Sequence, residues 1–279
     1  MPKLIRLVGL LLAGAGTAHA TQPDLTLLWR TPGFANPESV ALSADRKFLY
    51  VSNVDGEGDA RDGNGSIAQL SLDGKMLERR WAVGLDAPKG LALRAGRLYV
   101  SDVTTLVELD SASGKILARH DAPDSGFLND VAFAPDGSVL VSDSAKSRIY
   151  SWHDGRMQVW LQDELLRSVN GLLPEADRLV VVTMQGRLLA VDWKTRKITG
   201  IAEGLGEGDG IAGLGNRNYL VGEWPGRLFH VEADGKFEVL MDVRKEKHYL
   251  NDFLLIGDRL IVPNWEPGAV SAYRIGKQP

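Results

Sequence analysis

The chain has 279 residues, 24% of which are charged, and a formal net charge of −4. Lys and Arg are not clustered, so the composition gives no electrostatic reason to expect a nucleic acid or an anionic membrane as partner. The sequence contains no cysteine, which excludes disulfides, thiolate metal sites and cysteine nucleophiles. We therefore expect a small-molecule substrate or ligand and a fold stabilised by its packed core.

The first twenty residues have the three parts of a secretory signal. Lys3 and Arg6 are cationic, an apolar run follows from Leu7 to Ala15, and Ala18 and Ala20 are the small residues of a cleavage site. A membrane anchor is the alternative, but this run is far shorter than the roughly 20 residues that span a bilayer. We expect a signal peptide at 1–20, one domain at 21–279, and export to a bacterial periplasm or, alternatively, secretion.

After a strand-like segment at Leu25 to Arg30, a short apolar run recurs six times. The copies start at positions 49, 98, 139, 179, 219 and 260, which gives steps of 49, 41, 40, 40 and 41 residues. A strand-like segment precedes each copy and another follows it, and turn residues such as Asp73-Gly74 lead into a fourth. Four strands per repeat is the blade of a propeller. The predicted fold is therefore all-β, a six-bladed β-propeller with four-stranded blades.

The two ends of the repeat array are complementary. The sixth repeat stops near Ile275, before a fourth strand could form, whereas Leu25 to Arg30 has no repeat of its own. We expect the N-terminal strand to complete the last blade, because this would close the ring and leave no open sheet edge.

An insertion lengthens the first repeat by the segment from Val54 to Gly65. Its acidic residues resemble a calcium loop, but Ala60 takes the Gly position of an EF-hand and Ser66 replaces its closing Glu. The segment lies between the second and third strands of its blade. It is either a lid over one face of the ring or a solvated loop.

In a propeller, the residues that open the innermost strands meet near the axis on one face. Asn and Asp are ordinary turn formers, so turn chemistry is one explanation for polar residues there. A Glu in the first copy and a side-chain oxygen in five of six copies instead favour a site for a hard cation such as Ca²⁺. The six positions are Glu38, Lys89, Asn129, Asn170, Asp209 and Asn251.

The order and spacing of these residues resemble the gluconolactonase, senescence-marker-protein and luciferin-regenerating-enzyme family. The matching motifs are Asn-Pro-Glu-Ser-Val at Glu38, Leu-Asn-Asp-Val at Asn129, Val-Asn-Gly-Leu at Asn170 and Gly-Asp-Gly-Ile at Asp209. The resemblance implies a divalent cation, Ca²⁺ or else Zn²⁺, Mg²⁺ or Mn²⁺, held by these four residues. It also implies a hydrolase of lactones or related esters, with Asp209 as base or nucleophile.

Two features depart from the family pattern. Lys89 places an ammonium group in the ring, where it could repel a cation, pair with Glu38 or Asp209, or bind an anionic group of a substrate. Phe127 and Leu128 precede Asn129, where sugar-lactone hydrolases have a basic residue. We therefore expect an apolar substrate, or none, in preference to an aldonolactone.

A second set of polar residues ends the six apolar runs on the same face. Blade capping and pocket lining are both open explanations for it. Its members are Asn53, Asp102, Asp143, Thr183, Glu223 and Asn264, and Trp224 and Trp265 follow two of them. We predict substrate contacts for Lys89, Asn251, Trp224 and Trp265.

Three functions remain open at this point. The first is a calcium-dependent lactonase or esterase. The alternative is a non-catalytic exported propeller of the NHL type that binds a protein, a glycan or a small molecule, which the fold alone does not exclude. Strictosidine-synthase-like lyase chemistry is a distant third, because no catalytic Glu or His matches it.

Overall fold

A computed structural model describes residues 24–276, and the predicted signal peptide lies outside this range. The described residues form 24 β-strands and a single turn of 3₁₀ helix at Glu164–Leu166. None of their helical segments has the length and apolar character required to cross a membrane.

The strands form six antiparallel sheets of four strands each, which are the six blades. Blade 1 contains β2 (Pro37–Leu42), β3 (Phe48–Asn53), β4 (Gly65–Ser71) and β5 (Met76–Leu85). Blade 2 contains β6 (Pro88–Arg94), β7 (Arg97–Asp102), β8 (Thr105–Asp110) and β9 (Ile116–Asp121). Blade 3 contains β10 (Leu128–Phe133), β11 (Val139–Asp143), β12 (Arg148–His153) and β13 (Arg156–Gln162).

Blades 4 and 5 repeat the same order of strands from the axis outwards. Blade 4 contains β14 (Val169–Pro174), β15 (Arg178–Thr183), β16 (Arg187–Asp192) and β17 (Ile198–Glu203). Blade 5 contains β18 (Gly208–Gly215), β19 (Asn218–Glu223), β20 (Arg227–Val231) and β21 (Phe237–Asp242). Blade 6 contains β22 (Leu254–Ile256), β23 (Arg259–Asn264), β24 (Ala269–Ile275) and, as its outermost strand, β1 (Leu25–Pro32).

The N-terminal strand closes the ring as predicted. β1 pairs antiparallel with β24, from Leu25 opposite Ile275 to Pro32 opposite Ala269. Blade 6 is therefore built from both ends of the described chain, and its order is β1-β24-β23-β22. The six-bladed propeller with four-stranded blades is confirmed.

The hydrophobic core lies between the blades. Six clusters of buried side chains each join two neighbouring blades; Tyr50 of blade 1 packs with Val100 of blade 2 in one cluster, and Leu220 of blade 5 with Val262 of blade 6 in another. The second strand of each blade is covered on both faces, and β11 is buried along its whole length. This is why the repeated sequence marker is a continuous apolar run and not an alternating one.

The polar residues near the axis stand at β-bulges. In blades 1 to 5 the innermost strand gains one residue relative to its partner, for example between Pro37 and Val40 and between Val169 and Leu172. Turn chemistry was one explanation for these polar positions, but five of the six lie inside the strands, and only Asn251 precedes its strand. A bulge re-aims a side chain without ending the strand.

Glycine in the bulges allows the innermost strands to approach one another closely. A Cβ on Gly90 would lie 2.6 Å from the backbone oxygen of Asn129, and one on Gly171 would lie 2.5 Å from that of Asp209. Both distances are shorter than a van der Waals contact. The two glycines therefore allow blade 2 to approach Asn129 of blade 3, and blade 4 to approach Asp209 of blade 5.

Candidate functional site

One cavity of about 170 Å³ opens at one end of the axis, where the six bulge and strand-entry residues meet. The structure brings together every residue for which the sequence predicted a metal-binding, catalytic or substrate-binding role. The lining includes Glu38, Lys89, Asn129, Asn170, Asp209, Asn251, Trp224 and Trp265. We call this cavity the axial pocket.

Four buried oxygen atoms in the axial pocket have no hydrogen-bond partner among residues 24–276. They are Glu38 Oε2, Asn170 Oδ1, Asp209 Oδ1 and Asn251 Oδ1. In the described part of the chain, every other buried side-chain atom without a partner is a nitrogen. An unpaired buried acceptor costs about 1–3 kcal/mol, so four at one point indicate a ligand that supplies positive charge or donors.

The two carboxyl groups of this set are hard to ionise because they are buried. Burial raises the pKa of Glu38 well above its ordinary value, and the charges of Asp209 and Asp252 raise it further, whereas Lys89 lowers it. Burial also raises the pKa of Asp209, with Asp252 adding to the rise, and a side-chain hydrogen bond with Asn170 opposes it. Desolvation dominates at both carboxyl groups, and Lys89 offsets it only in part at Glu38.

A second layer of carboxyl groups lies directly behind the ring. Asp130 accepts hydrogen bonds from the backbone N–H groups of Val131 and Leu172, each at 2.6 Å, and Asp252 accepts one from Ser39 Oγ at 2.6 Å. Burial raises the pKa of Asp252 to about 6 and that of Asp130 well above its ordinary value. These bonds tie blade 3 to blade 4 and blade 6 to blade 1.

The ammonium group of Lys89 is held by its surroundings in the axial pocket. Its Nζ donates to the backbone oxygens of Gly58, at 2.5 Å, and Ala87, at 3.0 Å, and lies 4.3 Å from the centre of the Phe127 ring. Burial lowers the pKa of Lys89 to about 8, although Glu38 opposes the shift. Two of its three N–H groups are therefore used by the protein itself.

Asn129 differs from the other two asparagines of the ring. Its Nδ2 donates to Ser144 Oγ at 3.4 Å, and that hydroxyl donates to the backbone oxygen of Val169 at 2.6 Å. Asn129 is thus linked through Ser144 to the entry of blade 4, and its oxygen is not one of the four buried unpartnered oxygens.

The wall of the axial pocket is aromatic and apolar. Trp224 stacks on Tyr249 with ring centres 4.6 Å apart and planes 4° apart, and Trp265 packs against a small cluster that includes Val54. Phe127 and Met184 complete this wall. Met184 was missed from the sequence, although it directly follows an apolar run, as Trp224 and Trp265 do.

The polar residues that end the apolar runs do not line the axial pocket. Asp102 accepts hydrogen bonds from the N–H groups of Asp86 and Ala87, the latter at 2.8 Å, and Asp143 accepts from those of Gly126 and Phe127. These carboxylates hold the loops that lead into the innermost strands of their blades. The capping explanation is therefore the one that the contacts support.

The inserted segment reaches the axial pocket at a single residue. Gly58 lines it and accepts the hydrogen bond from Lys89. The segment is also fastened by Arg61, which donates to Thr104 Oγ1 at 2.6 Å, and by the N–H of Gly63, which donates to Asp86. It therefore contributes one residue to the wall of the axial pocket.

No group of three or more His, Cys, Asp or Glu side chains within residues 24–276 is placed to hold a metal ion. The axial pocket offers only two carboxylates on its surface and completes its oxygen set with amides. Such a set suits a hard cation such as Ca²⁺, which accepts amide oxygens, better than Zn²⁺, which favours His and Cys.

Solved structures of two kinds of enzyme share the fold. A gluconolactonase from Xanthomonas campestris is 17% identical, with a TM-score of 0.69, over 95% of this chain and 93% of that chain. A virginiamycin B lyase from Staphylococcus aureus is 12% identical, with a TM-score of 0.66, over 90% and 99%. A streptogramin B lyase is 10% identical, with a TM-score of 0.68, over 93% and 100%. Identities this low show the fold alone.

The sequence matches no protein-family model and no curated protein.

Proposed function

We propose that the protein is a hydrolase that binds a divalent cation in the axial pocket and acts on a small, apolar lactone or related ester. The observation that carries the proposal is the convergence of four buried, unpartnered oxygens on one cavity. Two carboxylates and two amides supply them. A hard cation satisfies all four at once, and Ca²⁺ prefers six to eight oxygen ligands.

The charges around the axis support the same proposal. Burial raises the pKa values of Glu38, Asp209, Asp130 and Asp252, and neighbouring carboxylates raise those of Glu38, Asp209 and Asp130 further. Lys89 supplies one positive charge nearby, and that charge is already shared with two carbonyl oxygens. A divalent cation would supply the positive charge that this end of the axis lacks.

The chemistry follows from the residues around the cation. When bound, a divalent cation polarises the carbonyl oxygen of an ester. Asp209 accepts a proton from a water molecule, and the water oxygen bonds to the carbonyl carbon. The ester C–O bond then breaks, and the departing alkoxide takes the proton back from Asp209. The side chain of Asn170 lowers the pKa of Asp209 and so favours the ionised carboxylate, which is the form that accepts the proton.

The size and lining of the axial pocket limit the substrate. Its volume of about 170 Å³ resembles that of an engineered 150 Å³ cavity that accepts benzene. Trp224, Trp265, Phe127 and Met184 offer apolar contact on several sides. A single ring or a short acyl chain fits this space, whereas a polyhydroxylated sugar lactone would bury hydroxyl groups against aromatic walls.

The comparisons support the reaction class only through the shared fold. A gluconolactonase and two lyases of streptogramin type use the same architecture, and one fold supports several chemistries. We favour hydrolysis because Asp209 supplies a carboxylate within the set of unpartnered oxygens, where it could activate water.

Metal content of the purified mature protein tests the proposal first. We expect about one Ca²⁺ or similar ion per chain and a melting temperature that falls when a chelator is added, because a ligand that binds only the folded state stabilises it. In Glu38→Ala the effect of the chelator should disappear. A metal-free protein with no chelator effect would instead favour a non-catalytic, NHL-like propeller whose ligand donates hydrogen bonds to the four oxygens.

Turnover of small aryl esters and monocyclic lactones tests the role of Asp209. We expect Asp209→Ala to lower kcat at least a hundredfold, because general base catalysis contributes about 10²–10⁴. Asp177→Ala is the matched control, since Asp177 is exposed and pairs with Arg217 at the surface. Retained turnover in a folded Asp209→Ala protein would remove this mechanism.

We also propose that the protein is exported and cleaved after Ala20. Cell fractionation with mass spectrometry of the intact protein checks this: a periplasmic or secreted species that begins at Thr21 is the expected result. A full-length cytoplasmic species would contradict it.

A further inference from the structure

The six axial residues divide into two arcs. Four consecutive blades, 4, 5, 6 and 1, supply the unpartnered oxygens of Asn170, Asp209, Asn251 and Glu38. Blades 2 and 3 supply Lys89 and Asn129, whose nitrogen atoms donate to neighbouring oxygens. The ring therefore has an acceptor arc of four blades and a donor arc of two.

We infer that Asn251 is a ligand of the bound cation and that the cation lies towards the acceptor arc. This inference rests on the proposed function and changes its ligand set. The family resemblance assigned the cation to blades 1, 3, 4 and 5, and Asn251 was predicted to contact the substrate. The geometry adds the sixth blade, which lies between the two carboxylate-bearing blades, 5 and 1.

The position of Asn251 is fixed by bonds that do not use its side-chain oxygen. Its backbone N–H donates to Pro263 at 3.2 Å, and the preceding Leu250 N–H donates to Trp224 at 3.0 Å. On its other side, Asp252 accepts the hydrogen bond from Ser39 of blade 1. Asn251 is only 3% exposed, yet its Oδ1 has no partner within the described residues. A buried amide oxygen left in this state is suited to a ligand from outside the chain.

The arrangement also accounts for Lys89 in the same pocket as a cation. The hydrogen-bond partners of its ammonium group come from the inserted segment and from the entry to β6, and its aromatic partner is Phe127 before β10. From the acceptor arc, the carboxylate of Glu38 attracts the ammonium group electrostatically. Its charge is spread over two carbonyl oxygens and an aromatic face. A cation held by blades 4, 5, 6 and 1 would therefore occupy a different position in the pocket from the ammonium group of Lys89.

Calorimetric titration of the chelator-treated mature protein with Ca²⁺ tests the inference, with Tb³⁺ luminescence as a second measure of binding. We expect Asn251→Ala to raise the Kd for Ca²⁺ at least tenfold, while Asn218→Ala, which changes an asparagine remote from the axial pocket, leaves it within twofold. A Kd for Asn251→Ala within twofold of the wild type would overturn the inference and leave the proposed function standing. Absence of Ca²⁺ binding by the wild type would defeat both.

Asn251→Asp keeps the test decisive if the alanine variant does not fold. A carboxylate at this position keeps the ligand oxygen and adds a charge, so we expect a Kd for Ca²⁺ about tenfold lower than in the wild type and a larger rise in melting temperature on adding Ca²⁺. An unchanged or weaker affinity in Asn251→Asp would overturn the inference.

Discussion

Lys89 is an ammonium group buried among backbone oxygens and an aromatic ring. Burial favours its neutral form, and its pKa falls from 10.5 to about 8. In the unfolded chain the group keeps its ordinary pKa, so between these two values the unfolded state binds more protons than the folded state. The buried charge lowers the free energy of unfolding by its full amount below pH 8, and this destabilisation decreases as the pH rises towards 10.5.

This linkage predicts a pH-dependent difference between the wild type and Lys89→Met. In chelator-treated protein, we expect the free energy of unfolding of the wild type to rise relative to that of the variant by on the order of 2 kcal/mol between pH 8 and pH 10. Urea denaturation of both proteins at the two pH values measures it. Taking the difference between the proteins removes the titration of tyrosines. A constant difference would show that Lys89 keeps an ordinary pKa.

The identity of the axial residues could be predicted from sequence, but their bonding could not. The repeat places Glu38, Asn170, Asp209 and Asn251 at equivalent positions, because the period fixes where each blade begins. Which oxygens lack partners depends on contacts between blades, such as the bond from Asn129 to Ser144. A repeat pattern carries no information on such contacts, so the cation ligands were assigned by resemblance.

At the scale of the single strand, the β-bulge sets the direction of the axial side chains. An extra residue in β2, β6, β10, β14 and β18 turns a polar side chain towards the axis while the strand continues. The sequence located these axial positions but left turns as one explanation, because Asn and Asp followed by Gly are common both in turns and in bulges. The predicted bounds of the N-terminal strand were close; it was predicted at Leu25 to Arg30 and is Leu25–Pro32.

The close approach of the innermost strands predicts a steep cost for a side chain at Gly171. Its Cβ in Gly171→Ala would meet the backbone oxygen of Asp209 at 2.5 Å and Val182 Cγ1 at 3.0 Å. We expect the free energy of unfolding to fall by about 1–3 kcal/mol, as for overpacked cores. Gly200→Ala in β17 is the control, because a Cβ there meets nothing within 4 Å. Equal stability of the two variants would contradict the proposed packing.

Over the whole molecule, the ring depends on the contact between β1 and β24. A propeller blade buries both faces against its neighbours, so opening blade 6 would expose the clusters on either side of it. This closure was predicted correctly from the sequence, because the last repeat lacks a fourth strand and the first predicted strand belongs to no repeat.

A disulfide across this closure should stabilise the ring. Thr26 and Arg274 are exposed partners in adjacent strands, and the natural chain has no cysteine that could compete. We expect oxidised Thr26→Cys/Arg274→Cys to gain about 2–4 kcal/mol in the free energy of unfolding over the same protein reduced. Thermal melting with and without a reductant measures this. No difference would mean that β1 does not limit the unfolding of the ring.

The shared sixth blade has a further consequence for how the chain can be rewired. The N–H of Gly276 donates to the backbone oxygen of Asp24 at 2.7 Å, so a short linker could join these positions. The exposed turn at Asp154-Gly155 separates the third and fourth strands of blade 3. In blade 6, the break between the two chain segments falls at the same place, between its third and fourth strands. A circular permutant cut at that turn would move the three-plus-one division from blade 6 to blade 3 and leave every axial residue in its place.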